Sequence, residues 1–212
     1  MSSNSLDHGA STSRPEGLLR PALVLFMALT VLTGLIYPLG VTGLAQILFP
    51  AQAQGSLMSV GGQTTGSRLI GQAFSAPGHF WSRPSATSPM SHNASSSSGS
   101  NLGPSNPALR ELVQARVAAL HAADPGNKAA VPVDLVTASA SGLDPHISRA
   151  AADYQRSRVA RASGLSQAQV QALIDQHTEG MWLGFLGEPR VNVLALNLAV
   201  DAAAVAAHGN TP

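Results

Sequence analysis

From Pro21 to Phe49 the chain runs for twenty-nine residues without an Asp, Glu, Lys, Arg or His. A helix of about 20 apolar residues crosses a bilayer core of about 30 Å. The run is too long for an ordinary buried helix, so the sequence predicts a membrane span. A straight helix of this length reaches ~43 Å, so it must tilt, kink at Pro38 or end in the interface. Arg14 and Arg20 precede the run, and the next basic residue is Arg68. Basic residues beside a span remain on the cytoplasmic side. The expected topology is therefore a single pass through a bacterial inner membrane, N-terminus in the cytoplasm and C-terminal domain in the periplasm. A cleaved signal peptide is the competing reading, with Ala51-Gln52-Ala53 as its cleavage site. A signal core of about 7–15 residues is half as long as this one, which favours an uncleaved anchor.

The expected division is a tail over 1–19, a transmembrane helix over 20–49 and one extracytoplasmic domain over 50–212. Thr30, Thr33, Gly34, Thr42, Gly43 and Gln46 are small or polar residues inside the span. Thr30 and Gly34 share a helix face, and small residues at that spacing admit a second helix closely.

Beyond the span there are ten basic and nine acidic residues. That near-neutral balance argues against a nucleic-acid partner, which favours a basic face. The chain has no Cys, so disulfides and thiolate metal sites are excluded. Its lone lysine is Lys128, and no phosphate-binding Gly-Lys-Ser/Thr sequence is present. Nucleophile motifs of the G-x-S-x-G, S-x-x-K and H-E-x-x-H kinds are absent. No two of the seven histidines sit at helical i, i+3 or i, i+4 spacing. The expectation is no catalytic residue and no metal site.

Local signals predict an α+β domain with a small sheet. Ser13-Arg14-Pro15-Glu16 has the form of a capping box opening the anchor. Residues 51–67 read as a linker or edge segment, 68–72 as a short strand, and 75–107 as a long irregular segment. Asn106 caps a helix from Pro107 that ends near Asp124-Pro125-Gly126. Val131 to Thr137 alternates like a strand. Asp144-Pro145 reads as the start of a helix with Ile147, Ala151 and Tyr154 on one face, stopped at Ser163-Gly164. Ser166 to Gln169 opens another helix, with Val170, Leu173, Ile174 and His177 inward. Val191 to Leu194 reads as a strand and Leu196 to Ala207 as a closing helix.

Two segments are candidates for binding. Ser98, Gly99, Ser100 and Asn101 lead through Gly103 to Asn106 at a helix start, where backbone N–H groups can face an anion. The other reading of this loop is a rigid packing element. Phe80, Trp81 and Arg83 form an aromatic-basic cluster suited to a protein contact; the alternative is a Trp that covers the core.

An ordered series of segments carries a resemblance: Gly34-Leu35-Ile36-Tyr37-Pro38, Thr42-Gly43-Leu44-Ala45-Gln46, Phe80-Trp81-Ser82-Arg83-Pro84-Ser85, Gly99-Ser100-Asn101-Leu102-Gly103-Pro104, Pro132 to Thr137, Ser141 to Ile147, His177 to Gly180 and Gly187 to Asn197. With Arg20-Pro21-Ala22 before them, they span residues 20–197. The chain thus resembles the KdpC family, the C subunit of the Kdp potassium-transporting P-type ATPase. Ser98, His92-Asn93 and Met181-Trp182 depart from its usual pattern. The resemblance implies a non-catalytic, single-span subunit of an ATP-driven, high-affinity potassium uptake complex. Such a subunit is needed for assembly and stability and lies over the channel-like subunit. The implied partners are a channel-like potassium-binding subunit, a P-type ATPase subunit, a further small single-span subunit and membrane lipid. K+ is carried by the complex, and ATP is hydrolysed by the partner. The alternative is a catalytic chaperone that raises ATP binding by the ATPase subunit, through the Ser98–Asn106 loop.

Overall fold

Pro38 lies inside the long apolar run, and its effect is visible in the helix that the run forms. In the computed structural model, which describes residues 17–209, Leu19–Leu48 is one uninterrupted helix. It consists of α1 (Leu19–Val31), a π-helical stretch over Leu32–Ile36 and α2 (Tyr37–Leu48). A proline in an α-helix lacks the N–H that would bond residue i−4, and its ring crowds that carbonyl. The wider turn just before Pro38, in which Tyr37 N–H donates to Leu32 O, accommodates the ring. Thr33 Oγ1 donates to Leu29 O at 2.7 Å. No side chain of α1, α2 or the π turn is buried within the chain. A short helix, α3 (Pro50–Ala53), follows. The capping box at Ser13 falls outside the described residues.

Of the described residues, 55–209 form a separate compact unit. It opens with a hairpin, β1 (Leu57–Val60) and β2 (Gln63–Ser67), where the sequence read as a linker or edge. Gly61 and Gly62 both have positive φ, 58° and 81°, as the two-residue turn of such a hairpin requires. Residues 68–72 are a turn rather than a strand, with Ile70 N–H donating back to Ser67 O. From residue 71 to 106 there is no helix or strand, which takes in the irregular segment expected from residue 75.

Helix α4 (Pro107–Ala123) begins at Asn106, whose side chain accepts from Ala108 N–H at 3.0 Å. The expected strand over 131–137 is absent. Pro132 leads into a 3-10 turn over Val133–Leu135, and Asp134 spends its carboxylate on Ser148 N–H at 2.7 Å. Asp144-Pro145 does not start a helix. Asp144 accepts from His146 N–H, β3 (His146–Ser148) intervenes, and Ser148 caps α5 (Arg149–Ser163) by accepting from Ala151 N–H. Gly164 closes α5 at φ 73°. Helix α6 (Gln167–Gln176) carries the expected capping box between Ser166 and Gln169.

The remaining elements are β4 (Thr178–Glu179), β5 (Arg190–Asn192) and α7 (Val193–Gly209), which starts three residues before the expected helix. The second sheet has the antiparallel order β3-β5-β4. Its central residue, Val191, packs with Ile147, Val159, Val170, Ile174, Leu196, Val200 and Phe80 in the core. This is the α+β architecture that the sequence indicates: an apolar N-terminal helix followed by a small mixed domain.

Candidate functional site

The segment from 71 to 106 has no ladder of its own, so side chains from helices hold its backbone. Asn197 of α7 accepts from Phe80 N–H at 2.7 Å and donates to Phe80 O at 3.0 Å. Gln155 of α5 does the same for the next residue: its Oε1 accepts from Trp81 N–H at 2.8 Å and its Nε2 donates to Trp81 O at 3.2 Å. Two carboxamides thus stand in for a neighbouring strand, and they satisfy backbone groups that burial would otherwise leave unpaired.

Arg158 completes this support. It is buried, donates to Gln155 Oε1 at 2.7 Å, to His79 O at 3.0 Å and to Pro77 O, and lies 4.6 Å over the Trp81 ring. Burial pushes its pKa down to about 10, so it stays charged near neutrality. Backbone carbonyls and the indole face solvate that charge in place of water.

The expected contact cluster therefore points largely inward. The Phe80 side chain is fully buried, which removes it from any surface contact. Trp81 is half-buried, and its indole N–H donates to Ala76 O at 3.2 Å. Arg83 pairs with Asp144 at 3.0 Å. Burial alone would raise the Asp144 pKa. The hydrogen bonds from the His146 ring and backbone, together with Arg83, outweigh it and hold this carboxyl below its ordinary value.

The Ser98–Asn106 loop is tied to the 139–142 turn. Ser98 N–H and Ser97 Oγ both donate to Ser141 O at 3.0 Å. Gly99 runs so close to that turn that an added Cβ would lie 2.8 Å from Ala140 O. Asn101 has φ 52°. Asn106 is occupied as the cap of α4. Ser98, Ser100, Asn101 and Asn106 are exposed. Beneath the loop lies a cavity of about 140 Å³, lined by Pro84, Ser100, Leu109, Leu112, Arg116 and Val136 among others. Pockets for drug-sized ligands span roughly 300–1,000 Å³. In the anchor, a Cβ built on Gly34 meets nothing within 4 Å, so the Thr30/Gly34 face is open in this chain.

Sequence reasoning missed Gln155, Arg158 and Asn197, whose partners are distant along the chain. It also missed the exposure of Met181, Trp182, Leu183, Phe185 and Leu186 between β4 and β5. The signal for the latter was present as an uncharged aromatic run between glycines. Among the described residues no group of three His, Asp or Glu side chains is placed to hold a metal ion.

His92 packs against Gly71 and is half-buried, with its Nδ1 unpartnered. Burial, and then Arg116, lower its pKa, while Asp144 partly opposes them. The unfolded chain therefore takes up a proton at His92 at a higher pH than the folded chain does. Stability is complete above the ordinary histidine value of 6.5 and declines as pH falls from there through the depressed folded value. The urea midpoint of the full chain in detergent should fall between pH 7 and 5, and His92→Asn should flatten that fall.

Comparison with known proteins gives one consistent result. A family model described as K+-transporting ATPase, c chain, matches residues 19–202. A potassium-transporting ATPase KdpC subunit of Polaromonas naphthalenivorans (strain CJ2) is 67% identical over 187 residues, covering 88% of this chain and 95% of that protein. Its namesake in Variovorax paradoxus (strain S110) is 67% identical over 191 residues, covering 90% and 99%. A third, from Sorangium cellulosum (strain So ce56), is 62% identical over 185 residues, covering 87% and 97%.

Proposed function

The chain belongs to the KdpC family, the c chain of K+-transporting ATPases, and we propose that it acts as the non-catalytic assembly subunit of an ATP-driven, high-affinity potassium uptake complex. Its anchor helix docks against partner helices in the bacterial inner membrane, with the N-terminus in the cytoplasm. Its domain stands in the periplasm over the channel-like subunit that carries K+. The partner P-type ATPase subunit hydrolyses the ATP.

One observation carries this reading: a thirty-residue apolar helix with no buried side chain and an open glycine face. A helix of that kind gains its packing from other chains. Because nothing in this chain occupies the space at Gly34, Gly34→Leu leaves the chain itself unstrained. The variant should lose most of the channel-like and ATPase subunits on purification in mild detergent. Unchanged recovery of both would reject this docking face.

The alternative, a catalytic chaperone that binds nucleotide through Ser98 to Asn106, has less support. The loop spends its Ser98 N–H and its Asn106 carboxamide on the domain itself, and the cavity beneath is small. Labelled ATP should show no saturable binding to the purified chain at millimolar concentration, and saturable binding would reinstate the chaperone role.

A further inference from the structure

Helix α4 ends on the unfavourable charge. The C-terminal end of a helix presents unpaired carbonyls and a partial negative charge, and it favours Lys, Arg or His. The residue that closes α4 is instead Asp124, 3% exposed. Its Oδ1 accepts from Arg161 of α5 at 2.7 Å. Its Oδ2 is buried and has no hydrogen-bond partner among the described residues. The hydroxyl of Tyr154, a residue 8% exposed, and Nε of Arg156 are buried and unpartnered in the same way. Burying a polar atom without a partner costs stability. Three such atoms, one of them on a carboxylate at a helix C-terminus, are poorly explained by packing alone.

All three residues line one cleft of about 400 Å³, between the turn over 124–129 and α5. That volume lies within the range of small-molecule sites. The turn is fastened to α5: Asn127 N–H donates to Asp124 O at 3.0 Å, and Asn127 Nδ2 donates to Tyr154 O at 2.9 Å. Asp153 also lines the cleft, but its carboxylate pairs with Arg149 at 3.1 Å. Arg161 is held by Asp124, and Arg156 by Gln171. Lys128 is exposed and lines the cleft as well.

The unpartnered atoms define a complement. A carboxylate oxygen accepts and cannot donate, so Asp124 Oδ2 selects an N–H or O–H group. The carbonyl end of α4 adds negative potential there, which favours a charged donor, an ammonium. The Tyr154 hydroxyl oxygen can accept a second ammonium hydrogen. Burial, and then Asp124, raise its pKa, so it keeps its own proton near neutrality. Arg156 Nε and Lys128 are donors and call for an anionic acceptor. Lys128, Arg156 and Arg161 together repel a plain amine, while Asp124 and Asp153 repel a plain anion.

We infer that this cleft binds a free α-amino acid, its ammonium on Asp124 and Tyr154 and its carboxylate on Arg156 and Lys128. The floor atoms have no surface open to water, so the ligand reaches them as the exposed Arg161 side chain, paired to the same carboxylate, swings aside. Recognition is of the zwitterion, and the ligand's side chain is left to the mouth of the cleft. The inference is independent of the subunit's role in potassium uptake.

The test titrates the full chain in detergent with L-alanine, by calorimetry and by thermal unfolding. L-alanine should bind saturably and raise Tm by about 3–6 °C at ten times its Kd. Glycine betaine carries the same two charges but no N–H, and should do neither. Asp124→Asn should abolish binding. Lys128→Gln, at an exposed position, should keep the unliganded Tm and weaken binding about tenfold, the loss of one charge-assisted contact. No saturable binding of L-alanine at millimolar concentration would overturn the inference. So would equal stabilisation by betaine, or an affinity unchanged in Lys128→Gln; either would leave Asp124 and Arg161 as a tie between two helices.

Discussion

Gly142→Ala should destabilise the domain by about 2–5 kcal/mol, the sum of left-handed strain and overpacking. Gly142 has φ +67°, and a Cβ there would lie 2.6 Å from Ser98 O and 2.6 Å from Thr87 Cγ2. Ser98 O is backbone on a loop already bonded to Ser141, so it cannot withdraw without breaking that tie. Ser85 Oγ also donates to Gly142 O, so the strain extends to the residue that gathers Thr87 and His92. For a domain of this size each kcal/mol shifts Tm by about 2–4 °C, giving a drop of ~4–20 °C by circular dichroism of the chain in detergent. Gly103→Ala is the matched control. It lies in the loop that Gly142 packs against, and its Cβ meets nothing within 4 Å, so its Tm should stay close to wild type.

Asn197→Ala should have an effect of similar size for a different reason. Phe80 and Asn197 are both almost fully buried, so removing the carboxamide leaves Phe80 N–H and C=O without partners or water. Each orphaned group costs about 1–3 kcal/mol, so about 2–6 kcal/mol in all is expected. The urea midpoint should drop accordingly, with limited proteolysis shifting towards residues 71–106. A midpoint within error of wild type would mean that the clamp does not hold the segment.

What the sequence disclosed follows the range of the interactions. Helix ends were legible because capping is local: Asn106 reaches Ala108, Ser166 and Gln169 reach each other, and Gly164 alone supplies the left-handed stop. The anchor was legible because its signal is a long run. Strands were legible only in part: β5 was found at Val191 and Asn192 but Val193 and Leu194 belong to α7, while β3, with three residues, is too short for alternation to show. The apparent strand at 131–137 failed because Asp134 answers to Ser148, a partner the alternation cannot reveal. Asp144-Pro145 failed likewise, since its carboxylate serves Arg83 and His146.

The candidate site was half legible. Phe80-Trp81-Ser82-Arg83 stood out by composition, yet composition carried no direction, and the structure turns Phe80 into the core. The partners that decide this, Gln155 and Asn197, lie 74 and 117 residues further along. A glutamine and an asparagine inside helices look like ordinary solvent-facing residues until the fold brings them to the loop.

Those two carboxamides grip peptide groups, which every residue possesses, rather than any particular side chain. At Phe80 and Trp81 the instructions for the course of the irregular segment are therefore stored in helices α5 and α7, while further on Ser85 and Thr87 hold the segment from within. A change of side chain at the gripped positions would leave those two holds in place, whereas a change at Gln155 or Asn197 would release the backbone whatever the segment spells.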